Sequence, residues 1–208
     1  MFRRFLLGIA VLSLASVAWA GVPDLNLSTA VTAAPGSSVF SLPSGAGAPL
    51  ASARAFGGGV VDATITLTLV DSSGDPIFLY PFDDMWLESS DDGLVYCSRG
   101  TAADGSTDID GQTTWATALQ AGGHTTDGAV CLVMIAGAPL ATTLDLRFNS
   151  ADINGDLVVD LVDVSLFAPQ VIGAGSYSGD FNFDGIVDLV DVSIFAPVVI
   201  VGSVCPGD

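Results

Sequence analysis

The chain has 208 residues, room for one medium domain or two small ones, and its 23 acidic against 5 basic residues give a formal charge of −18. Charge of that sign repels nucleic acid and anionic lipid, which excludes both as partners. Half the residues are apolar, too many for a disordered polyelectrolyte, and 24 glycines with 10 prolines point to strands and turns.

Residues 1–20 read as a secretory signal. Arg3 and Arg4 form its charged start, Phe5 to Val17 its apolar stretch, and Ala18-Trp19-Ala20 a small-x-small cleavage site before Gly21. Cleavage leaves 23 acidic against 3 basic residues, a net charge of −20. The expected location is secreted, extracellular or at the cell surface, with no later segment long enough to insert into a bilayer. Export permits disulfides. Cys97 and Cys131 both lie in apolar strand-like runs and form the preferred pair. Cys205 is left as a free thiol, an intermolecular link, or the true partner of one of the others.

Residues 21–150 carry a β pattern. Ala63, Ile65, Leu67 and Leu69 alternate with Thr64, Thr66 and Thr68, a period of two made of β-formers. Other expected strands are Val39–Leu42, Ile77–Tyr80, Met85–Glu88, Leu94–Cys97, Thr113–Ala118, Ala129–Ile135 and Thr142–Phe148. Turn-rich segments separate them, as in a single antiparallel sandwich. The stretches from Leu69 to Ile77, with the turn Asp71-Ser-Ser-Gly-Asp-Pro76, and from Thr107 to Thr113 carry a further likeness. Their order over about residues 60–136 resembles bacterial immunoglobulin-like domains of the invasin and intimin type, which implies a spacer or adhesive role.

Residues 151–208 change character, with nine aspartates and no basic residue. DINGDLVVDLVDVSLFAPQVI (152–172) and DFNFDGIVDLVDVSIFAPVVI (180–200) match at 15 of 21 positions with an offset of 28, so this is a duplicated unit. In each copy oxygen-bearing side chains fall at positions 1, 3, 5, 9 and 12 of a twelve-residue loop. Copy one supplies Asp152, Asn154, Asp156, Asp160 and Asp163; copy two supplies Asp180, Asn182, Asp184, Asp188 and Asp191. Position 7 adds main-chain carbonyls from Val158 and Ile186, and position 12 closes the site from the first turn of a helix. Hard oxygens at this spacing suit calcium, one ion per loop and two in all. Val159 and Val187 at position 8 are expected to pair the loops through a short β-bridge. Pro169 and Pro197 are expected to end the helices after roughly two turns.

The paired loops, with aspartate at position 12 and short spacing, resemble type I dockerin domains. That resemblance implies two calcium ions and docking to a cohesin-like or cell-surface scaffold protein, with Leu161, Val162, Leu189 and Val190 at positions 10 and 11 reading the partner. Position 6 is Gly185 in copy two but Leu157 in copy one. A leucine at positive φ is costly, so loop one is expected to bind calcium more weakly unless Gly155 relieves it.

Dockerins often accompany hydrolases, so catalytic groups matter. His124 is the only histidine, and Asp83, Asp84, Glu88, Asp91 and Asp92 crowd one strand-turn segment. Neither forms a convergent catalytic set, and no nucleophile elbow, zinc-binding helix or phosphate loop occurs. The expected architecture is a mainly β immunoglobulin-like sandwich (21–150) followed by a small all-α dockerin-like domain with two calcium loop-helix repeats (151–208). The expected function is non-catalytic attachment through the tail. The alternative is a carbohydrate-binding or polysaccharide-degrading module with Trp86 and Trp115 stacking on sugar.

Overall fold

A computed structural model describes residues 21–173 and 175–207; the signal-peptide reading lies outside them. The chain runs β1 (Thr29–Thr32), β2 (Ser37–Ser41), β3 (Ala53–Ala55), β4 (Val60–Val61), β5 (Ile65–Thr68), β6 (Met85–Ser89), β7 (Leu94–Tyr96), β8 (Gln112–Trp115), β9 (Ala121–Gly123), β10 (Cys131–Ile135), β11 (Ala138–Leu144), β12 (Leu146–Ser150) and β13 (Val158–Val159). Helix α1 (Leu161–Ile172), helix α2 (Leu189–Val201) and strand β14 (Ser203–Val204) complete it.

The protein is mostly β, in several small sheets. They are ordered β1-β5-β8, β11-β10-β6, β12-β2-β3-β4, β7-β9 and β13-β14. In β5 the period of two is realised, with Ile65 and Leu67 buried and Thr66 and Thr68 half-exposed. Trp115 of the neighbouring β8, and Phe148, Leu87 and Val133 from other sheets, fill the same core. Antiparallel pairing alone was expected, yet β12 runs parallel to β2, Leu146 opposite Ser37 and Ser150 opposite Ser41. Parallel pairing needs a long connection, and here almost the whole sandwich intervenes between the two strands.

Two expected strands differ. Ile77–Tyr80 forms no strand: Ile77 reaches the core, but Phe78 and Leu79 are exposed and Leu79 sits at φ 57°. Thr142–Phe148 is divided at Asp145 into β11 and β12, which join different sheets. The turns at Asp71 and Asp108 behave as read. Asp71 Oδ1 accepts from Ser73 N and Asp75 N, and Asp108 Oδ1 accepts from Asp110 N and Gln112 N, the Asx geometry that closes such turns.

The helices also differ. Helix α1 continues through Pro169 and α2 through Pro197 instead of stopping before them. An internal proline costs about 3 kcal/mol through its missing N–H. The residues beyond it, Val171 in α1 and Val198 and Val199 in α2, pack against a second apolar core and offset that cost. That core joins Phe167, Phe181 and Phe195 of the tail to Leu42 of the sandwich. Phe167 and Phe195 lie 4.5 Å apart between ring centroids, and Phe181 meets Phe40 of β2 edge-on at 5.4 Å. Each buried phenylalanine contributes about 1.5–3 kcal/mol.

The tail is not all-α. Val158 and Val159 pair with Val204 and Ser203, so the expected bridge between Val159 and Val187 does not form. Gly202 at φ 77° turns the chain back after α2, bringing Ser203–Val204 alongside β13. The disulfide preference is also corrected. Cys97 bonds Cys205, with Cα atoms 5.6 Å apart, while Cys131 is a free, buried thiol. Cys131 lies inside β10 opposite Ser89 and Leu144, where it packs as a small apolar residue and burial pushes its thiol far up from the ordinary value. The returning C-terminus is what carries Cys205 to Cys97.

Candidate metal loops and docking face

Strand β12 ends at Ser150 and the first loop begins at Asp152, so no linker separates them. In loop one, Asp152 Oδ1 accepts from Gly155 N (3.0 Å) and Asp156 N (3.2 Å), and Oδ2 accepts from Leu157 N (2.8 Å). Asp163 Oδ1 accepts from Ile153 N (2.8 Å), and its Oδ2 from Asp160 N (2.9 Å). Asp160 caps α1 by accepting from Val162 N, completing a capping box with Asp163.

Loop two repeats the scheme. Asp180 accepts from Asp184 N and Gly185 N, Asp191 from Phe181 N and Asp188 N, and Asp188 caps α2 through Val190 N. Asn154 and Asn182 occupy equivalent places, each accepting from the amide two residues on and donating Nδ2 to Asp156 or Asp184 at 2.8 Å. The repeat therefore encodes one loop fold twice, and each asparagine amide is fixed in the same orientation.

The glycine difference is resolved by exchange. Positions 4 and 6 are both left-handed in both loops: Gly155 (φ 70°) and Leu157 (φ 67°) in copy one, Phe183 (φ 59°) and Gly185 (φ 90°) in copy two. Each loop has one glycine and one strained residue, about 1–2 kcal/mol of strain apiece. The expected handicap of loop one through Leu157 is matched in loop two by Phe183.

The carboxylates at positions 1 and 12 are buried: Asp152, Asp163 and Asp191 are fully covered, and Asp180 nearly so. Burial pushes Asp152 up to about 6, against the pull of its Leu157 N–H bond, and neighbouring Asp163 and Asp156 add to the rise. Burial likewise raises Asp163, Asp180 and Asp191, opposed by their amide bonds. The arginine ion pairs among the described residues are Arg99–Asp83 and Arg147–Asp127, neither on a loop carboxylate. Buried carboxylates without a cationic partner are expensive, and a hard divalent cation is the compensation that an oxygen-only donor set suits. The carboxylates are turned onto their own loop amides, and among the described residues no three His, Cys, Asp or Glu side chains stand together as a metal-holding group. Asn154, Asp156, Asp160, Asp188 and the position-7 residues Val158 and Ile186 lie toward solvent, and Asn182 is buried.

Leu161 and Leu189 are 78% and 77% exposed, and Val162 and Val190 are half-exposed beside them. Between α1 and α2 runs an apolar groove of about 450 Å³ lined by Val164, Phe167, Val171, Val192, Phe195 and Val199. Among the described residues no helix is long and apolar enough to cross a membrane.

The acidic segment shows ordinary structural uses. Glu88 accepts from Trp86 Nε1 and Tyr96 Oη, Asp91 from Thr126 N and Oγ1, and Asp83 pairs with Arg99. The half-buried His124 has a buried Nδ1 with no hydrogen-bond partner among the described residues. Trp115 is buried in the core and donates to Thr101 O, so it offers no face to a sugar.

No protein-family model matches the chain, and no curated protein matches it. Among solved structures it is similar to the filamin domain of Lin-41, at 15% identity and a TM-score of 0.30, over 60% of this chain and 96% of that one. A likeness that distant carries no argument about this protein.

Sequence reasoning missed the groups that seat the loops: Phe56, Gly57, Gly58, Gly122, Gly123 and Asn149. The pair Gly122-Gly123 is a local signal of close backbone approach, and the run Gly57-Gly58-Gly59 one of positive φ, which Gly57 (94°) and Gly58 (83°) adopt.

Proposed function

We propose that this is an exported, non-catalytic modular protein: an immunoglobulin-like sandwich whose dockerin-like tail binds two calcium ions and attaches to a protein partner. The observation that carries the reading is the duplicated oxygen-only loop, closed by corresponding hydrogen bonds in both copies, with buried carboxylates that no cationic side chain among the described residues compensates. Asp152, Asn154, Asp156, Asp160, Asp163 and the Val158 carbonyl hold one ion; Asp180, Asn182, Asp184, Asp188, Asp191 and the Ile186 carbonyl hold the other. The ion neutralises carboxylates that otherwise repel one another, so binding is coupled to loop order. A disulfide joining residues 108 apart supports export to an oxidising compartment.

The exposed Leu161-Val162 and Leu189-Val190 pairs supply the partner surface, an apolar patch at the two helix starts. The partner is a cohesin-like or surface scaffold protein. Titration calorimetry is expected to give two calcium ions per chain. Capture of a purified scaffold protein is expected to require calcium and to be lost in Leu161→Asp plus Leu189→Asp, with stability within about 0.5 kcal/mol of the parent. Capture that ignores chelator, or survives the double substitution, refutes the attachment reading.

A further inference from the structure

The two repeat loops are also the surfaces by which the tail sits on the sandwich. Loop one lies against β9: Gly123 N–H donates to the Asp152 carbonyl at 2.8 Å, and a Cβ on Gly122 has no room beside the Asp152 carboxylate. Loop two lies against the turn before β4. There Gly57 and Gly58 N–H donate to the Phe183 carbonyl at 2.9 and 3.2 Å, and Phe56 meets the Phe183 ring edge-on at 5.6 Å. Asn149 of β12, 1% exposed, donates Nδ2 to the Tyr177 carbonyl (2.7 Å) and the Asp180 carbonyl (2.9 Å). The first residue of each loop, Asp152 or Asp180, therefore has its main chain held by the sandwich while its carboxylate closes the loop. A module hung on a flexible linker makes no such bonds.

We infer that metal binding in the loops and the junction between sandwich and tail are one equilibrium. Calcium locks the tail onto the sandwich, and the sandwich preorganises both loops for calcium. A loop already fixed at its first residue has less conformational freedom to lose on binding, and linkage makes the effect reciprocal. The inference rests on the calcium reading above, and its test separates the two.

From Gly21 onward the tryptophans are Trp86 and Trp115, both in sandwich strands, whereas the helices α1 and α2 lie in the tail. Tryptophan fluorescence thus reports the sandwich, and helical circular dichroism the tail. With calcium at about a thousand times its Kd, both thermal midpoints are expected to rise together by roughly 10 °C. Asn149→Leu is expected to weaken calcium binding about tenfold, within the range typical of coupled sites. Phe56→Ala, at an exposed ring that leaves the core intact, is expected to weaken it a few-fold. Calorimetric binding without movement of the tryptophan transition, or wild-type affinity in both variants, overturns the inference alone. Absence of binding heat overturns the calcium reading and the inference with it.

Discussion

The two copies of the repeat make the same loop in different surroundings. Copy one is embedded: Val158 and Val159 form a ladder with β14, and the neighbouring C-terminus is tied through Cys205 to Cys97. Copy two has no strand and rests on the Phe56–Gly58 turn and Asn149. The hydrogen bonds inside the loops nevertheless correspond almost one for one; the exception is Gly155 N to Asp152, which has no counterpart at Phe183. Local sequence thus sets the loop and its cap, while surroundings set what each copy leans on.

The strongest way to break that equivalence is at position 12. Asp163→Ala and Asp191→Ala each remove a buried acceptor of three backbone N–H groups and are expected to cost about 3–5 kcal/mol. Urea unfolding is expected to give costs within about 1 kcal/mol of each other; a wider gap means that surroundings, not the repeat, decide.

Cys205→Ser sharpens the contrast. Releasing a closure of 108 residues is expected to cost about 2–5 kcal/mol. Amide exchange at Val159 is expected to accelerate while that of the copy-two amides at Phe181 and Gly185 changes less. Equal acceleration in both copies contradicts separate supports.

The strained positions are expected to respond in opposite directions. Phe183 is buried against Phe56 and Tyr177, so Phe183→Gly loses packing worth about 3 kcal/mol and regains only the backbone strain. Leu157 is only half-buried, so Leu157→Gly is expected to stabilise by under about 1 kcal/mol. Thermal melts of both variants decide; destabilisation by Leu157→Gly shows that its side chain, not its φ, dominates.

The last contrast is between the metal-free and calcium-bound protein. Aspartates raised above the ordinary 3.8, with Asp152 up to about 6, make the metal-free loops bind more protons than they do in the unfolded chain. Its loops therefore contribute stability that is greatest below about pH 4 and declines as pH rises toward about 6. Calcium needs the ionised form, so its stabilising increment is expected to grow across the same window. Melts in chelator and in calcium at pH 4, 5, 6 and 7 check this; a constant increment contradicts it.

The sequence by itself determined whatever depends on neighbours a few residues away. The alternation of β5, the Asx turns at Asp71 and Asp108, the capping aspartates Asp160 and Asp188, and the two oxygen-lined loops all follow from local hydrogen bonding and side-chain period. Tertiary structure alone decided the rest. Two runs joined by about a hundred residues pair in parallel only because the sandwich between them has folded. Cys205 finds Cys97 only because β14 returns along β13, and the prolines stay inside helices only because apolar residues beyond them have a core to enter. Such contacts are stabilised by burial between distant segments, a free energy that no short window of sequence contains.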